Sequence, residues 1–196
     1  MKIAILQREI AWADPATNRE RFSETFSRRE KADLYVLPEM FSTGFCTHPQ
    51  GIAEPADSHT LQWLKESAMQ NNCAMAGSVS VEEKGLFFNR FYFVKPDGSV
   101  TCYDKHHLFT FGGEDKHYTA GKDRIIVEYM GVRILLQICY DLRFPVFSRN
   151  RNDYDMALYV ATTPPVHIRA TASYSMLTAV LWLLVHPVSS VKPMPI

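Results

Sequence analysis

Short apolar runs alternate with longer, charged stretches of helical spacing through residues 1–161. Residues 3–7 begin the pattern with a run suited to a buried strand. Asp14-Pro15 then opens a turn, and residues 17–32 are charged, with Phe22 and Phe26 at i, i+4. That spacing predicts a helix with one narrow buried face. Residues 33–37 read as a second buried strand, stopped by Pro38. Leu61, Leu64 and Ala68 fall at helical spacing behind Ser58, a candidate cap, and predict a helix over 58–72. Residues 73–81, 87–94 and 100–103 read as strands, the last two joined by the turn Lys95-Pro96-Asp97-Gly98-Ser99. Residues 124–129 and 132–138 form another pair across Met130-Gly131, and 156–160 is a final strand. Strand, helix, strand, helix and then several strands define an α/β layered domain.

Composition narrows the class and exposes a break. At 196 residues the chain fits one domain, or two only if both are small. A domain of this size buries about 70% of its unfolded surface, so neither disulfide nor metal staple is needed. With 46% hydrophobic and 21% charged residues it reads as globular, and zero net charge without a basic block argues against nucleic acid as the main partner. Cys46, Cys73, Cys102 and Cys139 show no CxxC spacing, which suits a reducing cytoplasm better than a secreted scaffold. The N-terminal apolar run turns polar at Gln7, too early for a signal peptide. All 21 acidic and 19 of the 21 basic side chains lie in residues 1–161, whereas 162–196 carries only Arg169 and Lys192. Five of the 11 prolines crowd into that stretch. Its longest apolar run, 177–185, falls well short of the ~18–20 residues a membrane span requires.

Three polar residues stand where buried strands end: Glu39, Lys105 and Cys139. Strand ends in α/β folds deliver side chains into a shared crevice, although each residue alone has an ordinary alternative as loop charge, solvated lysine or core filler. Their neighbours decide the matter. Leu37-Pro38-Glu39-Met40-Phe41-Ser42-Thr43-Gly44-Phe45, Asp104-Lys105-His106-His107-Leu108-Phe109 and Cys139-Tyr140-Asp141-Leu142-Arg143-Phe144-Pro145 resemble, in chain order, the three motifs of the nitrilase superfamily of carbon–nitrogen hydrolases. The resemblance covers about residues 1–161 and implies an αββα sandwich, incomplete in this chain, with Glu39, Lys105 and Cys139 as catalytic residues. Residues 109–121 and 139–150 point toward the omega-amidase branch. Its substrates are small omega-amides of α-keto acids, of the 2-oxoglutaramate or 2-oxosuccinamate type. Glu114 is similar to the family's second glutamate, which orients the lysine and the substrate. The resemblance also implies a homo-oligomer for a complete chain.

The chemistry of the trio is coherent in its own terms. A thiol of ordinary pKa ~8.5 needs a base or a nearby cation, and Glu39 can accept its proton. Lys105, helped by the backbone N–H of Tyr140, would meet the oxyanion. A lysine beside the cysteine would also favour thiolate, and neither metal nor organic cofactor is required. Adjacent histidines point to opposite faces of a strand, so His106 and His107 make a poor metal pair. Arg143 reads as a structural ion-pair partner, Cys46, Cys73 and Cys102 as small apolar packers, and Phe109 and Phe111 as walls of a pocket. The alternatives are another small-amide hydrolase of the same superfamily, a cysteine hydrolase with a histidine base, and a truncated inactive chain.

The stretch 162–196 departs from the family pattern. After a strand such as 156–161 the family continues with an Asn-Trp-Pro-like segment, a helix and more strands. Here Thr162-Thr163-Pro164-Pro165 follows, then 31 residues without an acidic side chain. A helix with a charged outer face cannot be written with that composition. Two readings stand: 1–161 as the N-terminal part of a hydrolase domain followed by an out-of-frame tail, or a short natural variant whose tail packs on the open sheet. The first predicts that one base inserted or deleted near codon 162 yields active enzyme, while the chain as written is poorly soluble or inactive. Resequencing that codon checks it, and an intact frame encoding a well-folded, active 196-residue protein refutes it.

Overall fold

Two β-sheets pack face to face in the computed structural model, which describes residues 1–27, 31–162 and 182–185. The first sheet contains β1 (Ile3–Ile5), β2 (Leu34–Val36), β3 (Glu54–Pro55), β4 (Ala74–Glu83), β5 (Leu86–Val94) and β6 (Val100–Asp104). Its main path runs β1-β2-β4-β5-β6, with β3 also on β4; β1, β2 and β4 are parallel, and β5 and β6 follow as antiparallel neighbours. The second sheet orders β10 (Trp182–Val185), β9 (Met156–Val160), β8 (Val132–Ile138) and β7 (Ile126–Tyr129), with β8 and β9 parallel. Two helices of 13 residues, α1 (Pro15–Ser27) and α2 (His59–Asn71), cover the outer face of the first sheet.

Period-2 alternation produces both cores. Leu34 and Val36, Ala74 and Ala76, and Phe91 and Phe93 point inward against Ile134, Leu136, Ile138, Met156, Leu158 and Val160. The intervening Tyr35, Met75 and Tyr92 turn outward and meet Phe22 and Phe26 of α1 and Leu64 and Ala68 of α2. Strands buried on both faces read as continuous apolar runs, and that is how they stand in the sequence. On the outer face of the second sheet Leu135, Ala157 and Tyr159 are also buried.

Several boundaries differ from the sequence pattern, each for a local reason. Helix α1 starts at Pro15 because Asp14 accepts from the Thr17 N–H and proline suits a first turn. Lys31 and Ala32 are outside α1, whose expected final turn over 28–30 lies outside the described residues. Ser58 caps α2 through the Leu61 N–H, and Asn72 ends it in a left-handed conformation. The apolar start of the chain is not a buried strand: Ile3 and Ala4 are half-buried and Ile5 is 44% exposed, because among the described residues β1 has only β2 beside it. Between β4 and β5 the turn Lys84-Gly85 has both residues at positive φ, as a tight hairpin requires.

Within the compositionally distinct stretch, Trp182–Val185 pairs antiparallel with β9, an arrangement of the kind the reading of a tail packed on the open sheet calls for. Unpaired backbone groups along β9 provide the template. The rest of that stretch beyond Thr162, and with it the reading of an out-of-frame tail, lies outside the described residues. No helix among the described residues is long and apolar enough to cross a membrane.

Candidate active site

The carboxyl ends of β2, β6, β8 and β9 open at one side of the sandwich, and the sequence-predicted residues meet there. Pro38 cannot donate to a ladder, so the chain leaves β2 after Leu37 bonds Ala76. Met40, in the left-handed region at φ 47°, donates its N–H to the Ser78 hydroxyl, and Phe41 donates to the Ser78 carbonyl. Glu39 is thereby pinned to β4 and turned inward, not out to water.

Lys105 follows β6 directly, its N–H on the Asn89 carbonyl and its own carbonyl accepting from Gly121. A Cβ on Gly121 would collide with the carbonyl of Asp104, so only glycine lets this segment approach the end of β6. Cys139 begins a 3-10 turn, Cys139–Arg143, at φ 40°, a conformation uncommon for a side chain of its kind.

Glu39, Lys105 and Glu114 form a completely buried ionic cluster. The Lys105 ammonium donates to Glu39 Oε1 and Glu114 Oε2, each at 2.9 Å. Asn89 on β5 bridges the same carboxylates, donating to Glu39 Oε1 at 2.9 Å and Glu114 Oε1 at 3.1 Å. Glu114 also accepts from the Phe109 N–H, while Glu39 Oε2 accepts from Thr162 N–H at the end of β9. Two carboxylates and one ammonium leave one net negative charge in an apolar surround, tolerable only because each charge is hydrogen-bonded.

Electrostatics sort the proton positions. Burial raises the Glu39 carboxyl above its ordinary value against the pull of Lys105. Burial alone would lower Lys105, but the charges of Glu39 and Glu114 prevail and hold it above the usual lysine range. Burial first, then the negative charge of Glu39, pushes the Cys139 thiol up despite Lys105. Lys105 favours the thiolate, as the sequence suggested, but desolvation and the neighbouring carboxylate outweigh it.

Other expectations divide. Cys46 and Cys73 are buried packers, but Cys102 is exposed, because β6 has only β5 beside it and the side chain at that position faces out. Phe109 lies edge-on to Tyr140 at 5.2 Å, whereas Phe111 is 87% exposed and walls nothing. Arg143 is exposed and makes no ion pair among the described residues, since the turn holding Cys139 points it to solvent. His106 bonds the Gly121 carbonyl and His107 the Asp141 carboxylate. Sequence reasoning missed Asn89 and Asp141. Asn89 was detectable as one amide within an apolar strand, whereas nothing in sequence spacing connects Asp141 to β6.

The chain belongs to the carbon–nitrogen hydrolase family, whose model matches residues 2–185. It is 44% identical over 164 residues to Omega-amidase YafV of Yersinia enterocolitica, covering 84% of this chain and 64% of that protein. To the 2-oxoglutaramate amidase of Bacillus subtilis it is 32% identical over 152 residues, 75% of this chain and 58% of that one. Among solved structures it resembles XC1258 from Xanthomonas campestris, a CN-hydrolase superfamily protein with an arsenic adduct in the active site. That match has a TM-score of 0.81 at 39% identity over 85% of this chain and 66% of the other. The chain thus spans less than two thirds of the two amidases.

Gly121 offers a direct test of how the lysine is seated. Gly121→Ala must push the segment off β6, and overpacking of this kind costs about 1–3 kcal/mol. Urea denaturation should show that loss, and an unchanged midpoint would refute the packing argument.

Proposed function

We propose that the chain carries the reaction centre of an amidase that hydrolyses the terminal amide of small omega-amides of α-keto acids to acid and ammonia. The observation that carries this reading is the Lys105 ammonium fixed between two buried carboxylates, with the Cys139 thiol interacting with one of them. The names of the amidase relatives supply the substrate class. Arsenic is thiophilic, so the adduct in the active site of the Xanthomonas relative also fits a reactive thiol. The four free cysteines favour a reducing compartment, the cytoplasm.

In this mechanism Glu39 takes the thiol proton as Cys139 Sγ attacks the amide carbon. Two Lys105 N–H bonds are committed to Glu39 and Glu114, which leaves the third for the oxyanion, with the Tyr140 N–H as second donor. Collapse breaks the C–N bond, and Glu39 returns its proton to the departing ammonia. Glu39 then deprotonates water, which attacks the thioester and frees the acid. A raised Glu39 carboxyl suits this shuttle, because burial makes the carboxylate a stronger base toward the thiol proton. Glu114 holds the lysine in line. The partner of the Cys139 thiol is Glu39, which favours a carboxylate base over a histidine.

Omega-amides of α-keto acids should be hydrolysed ahead of plain amides and nitriles in a substrate panel. Cys139→Ala should abolish turnover and Cys139→Ser nearly so, whereas Cys46, Cys73 and Cys102 replaced singly by Ala should retain most of it. Full activity in Cys139→Ala would sink the mechanism.

Lys105→Arg keeps the charge but displaces it. We expect a loss of about 100-fold or more in kcat, comparable to removal of one oxyanion donor. A variant altered only in KM would show that Lys105 merely binds substrate.

A further inference from the structure

Asp141 is fully buried two residues beyond Cys139, and no lysine or arginine pairs with it among the described residues. Its Oδ2 accepts from Ile138 N–H at 2.9 Å and from Tyr103 O–H at 2.7 Å. Its Oδ1 accepts from His107 N–H at 2.9 Å and meets His107 Nδ1 at 2.8 Å. A carboxylate only accepts, so Nδ1 of His107 carries a hydrogen. These partners are not scattered. Ile138 is the last residue of β8 before Cys139; Tyr103 stands two residues before Lys105 and His107 two residues after it. One carboxylate therefore ties both flanks of Lys105, on the first sheet, to the turn that carries Cys139, on the second.

The same bonds bear on the backbone of Cys139. Its φ of 40° persists only where the surroundings impose it. The Asp141 carboxylate closes the turn on the Ile138 N–H, immediately before the strained residue. We propose that Asp141 is a positioning residue: it holds Cys139 in its left-handed conformation and in register with Lys105, without touching substrate. The proposal rests on the amidase reading for its kinetic test. An amide cannot take over the role. Whichever way an asparagine side chain turned, its NH2 would face the backbone N–H of either Ile138 or His107, and neither can rotate away.

The test compares the full-length chain with Asp141→Asn and with Tyr103→Phe, which keeps the ring but removes one of the four bonds to Asp141 and the acceptor of the His106 N–H. For each, kcat and KM per folded active site are measured on an omega-amide. The rate of Cys139 alkylation by iodoacetamide is followed by peptide mapping. Asp141→Asn should lose about 100-fold in kcat, the penalty of a misplaced reacting group, with KM within a few-fold. Cys139 alkylation should quicken, because a thiol displaced from its buried place beside Glu39 ionises more readily, and Tyr103→Phe should show smaller changes of the same kind. Asp141→Asn with a lowered melting temperature but unchanged kcat per folded site and unchanged alkylation would overturn the proposal. If Asp141→Asn does not fold, unchanged values in Tyr103→Phe overturn it. Where the unsubstituted chain turns over no amide, through failure of the amidase reading or of the chain as written, alkylation alone decides whether Asp141 positions the thiol.

Discussion

A lysine ammonium shared by two buried carboxylates is the constraint around which the sandwich is arranged. Removing charges of this kind from water costs several kcal/mol each, so every donor and acceptor must be met at fixed geometry. Lys105 comes from the end of β6, Glu39 from the turn after β2, Glu114 from a short turn closed by Phe109, and the bridging Asn89 from β5. Misplacing any one of these elements would leave an uncompensated charge in an apolar interior. The apolar layers between the sheets and beneath α1 and α2 therefore serve as the rigid frame that holds four polar side chains together.

Two of the contacts that join the second sheet to this frame differ in character. Thr162, beyond β9, donates to Glu39 Oε2 and leaves Oε1 to Lys105 and Asn89. Asp141, beyond β8, binds the segments on both sides of Lys105. The thiol thus arrives from one sheet and its proton acceptor and cation from the other, and the face-to-face packing sets their separation. Burial and the adjacent carboxylate hold the Cys139 thiol up, so the proposed mechanism relies on Glu39 as base and not on a standing thiolate.

Sulfur and aromatic groups beneath the Glu39 turn add a further support. Tyr118 shares its hydroxyl with Ser80 at 2.7 Å and with Cys46 at 3.1 Å, and Met40 packs in the same cluster. The Tyr118 N–H also bonds the carbonyl of Glu114. The turns that present the two glutamates therefore rest on one buried network, and Cys46 has a packing role apart from the chemistry of Cys139.

Much of this was legible in the residues alone. Short apolar runs located β2, β4, β5, β8 and β9 because strands buried on both faces must be apolar, and Ser58 marked the start of α2 because a helix needs a cap. Glu39, Lys105, Cys139 and Glu114 could be named from local motifs, since each motif places its residue at the end of a strand or in a tight loop. Pairing between distant segments could not be read. That Asn89 bridges two glutamates, that Asp141 reaches β6, that Ile5 and Cys102 face outward and that Trp182–Val185 lies beside β9 all depend on which strands become neighbours or edges. The sequence by itself determined the elements and the reactive side chains, because both follow from short-range pattern and side-chain chemistry. Only the tertiary structure decided their mutual geometry and the proton on the thiol, because burial and charge at Cys139 come from groups 34 and 100 positions away in the chain, Lys105 and Glu39.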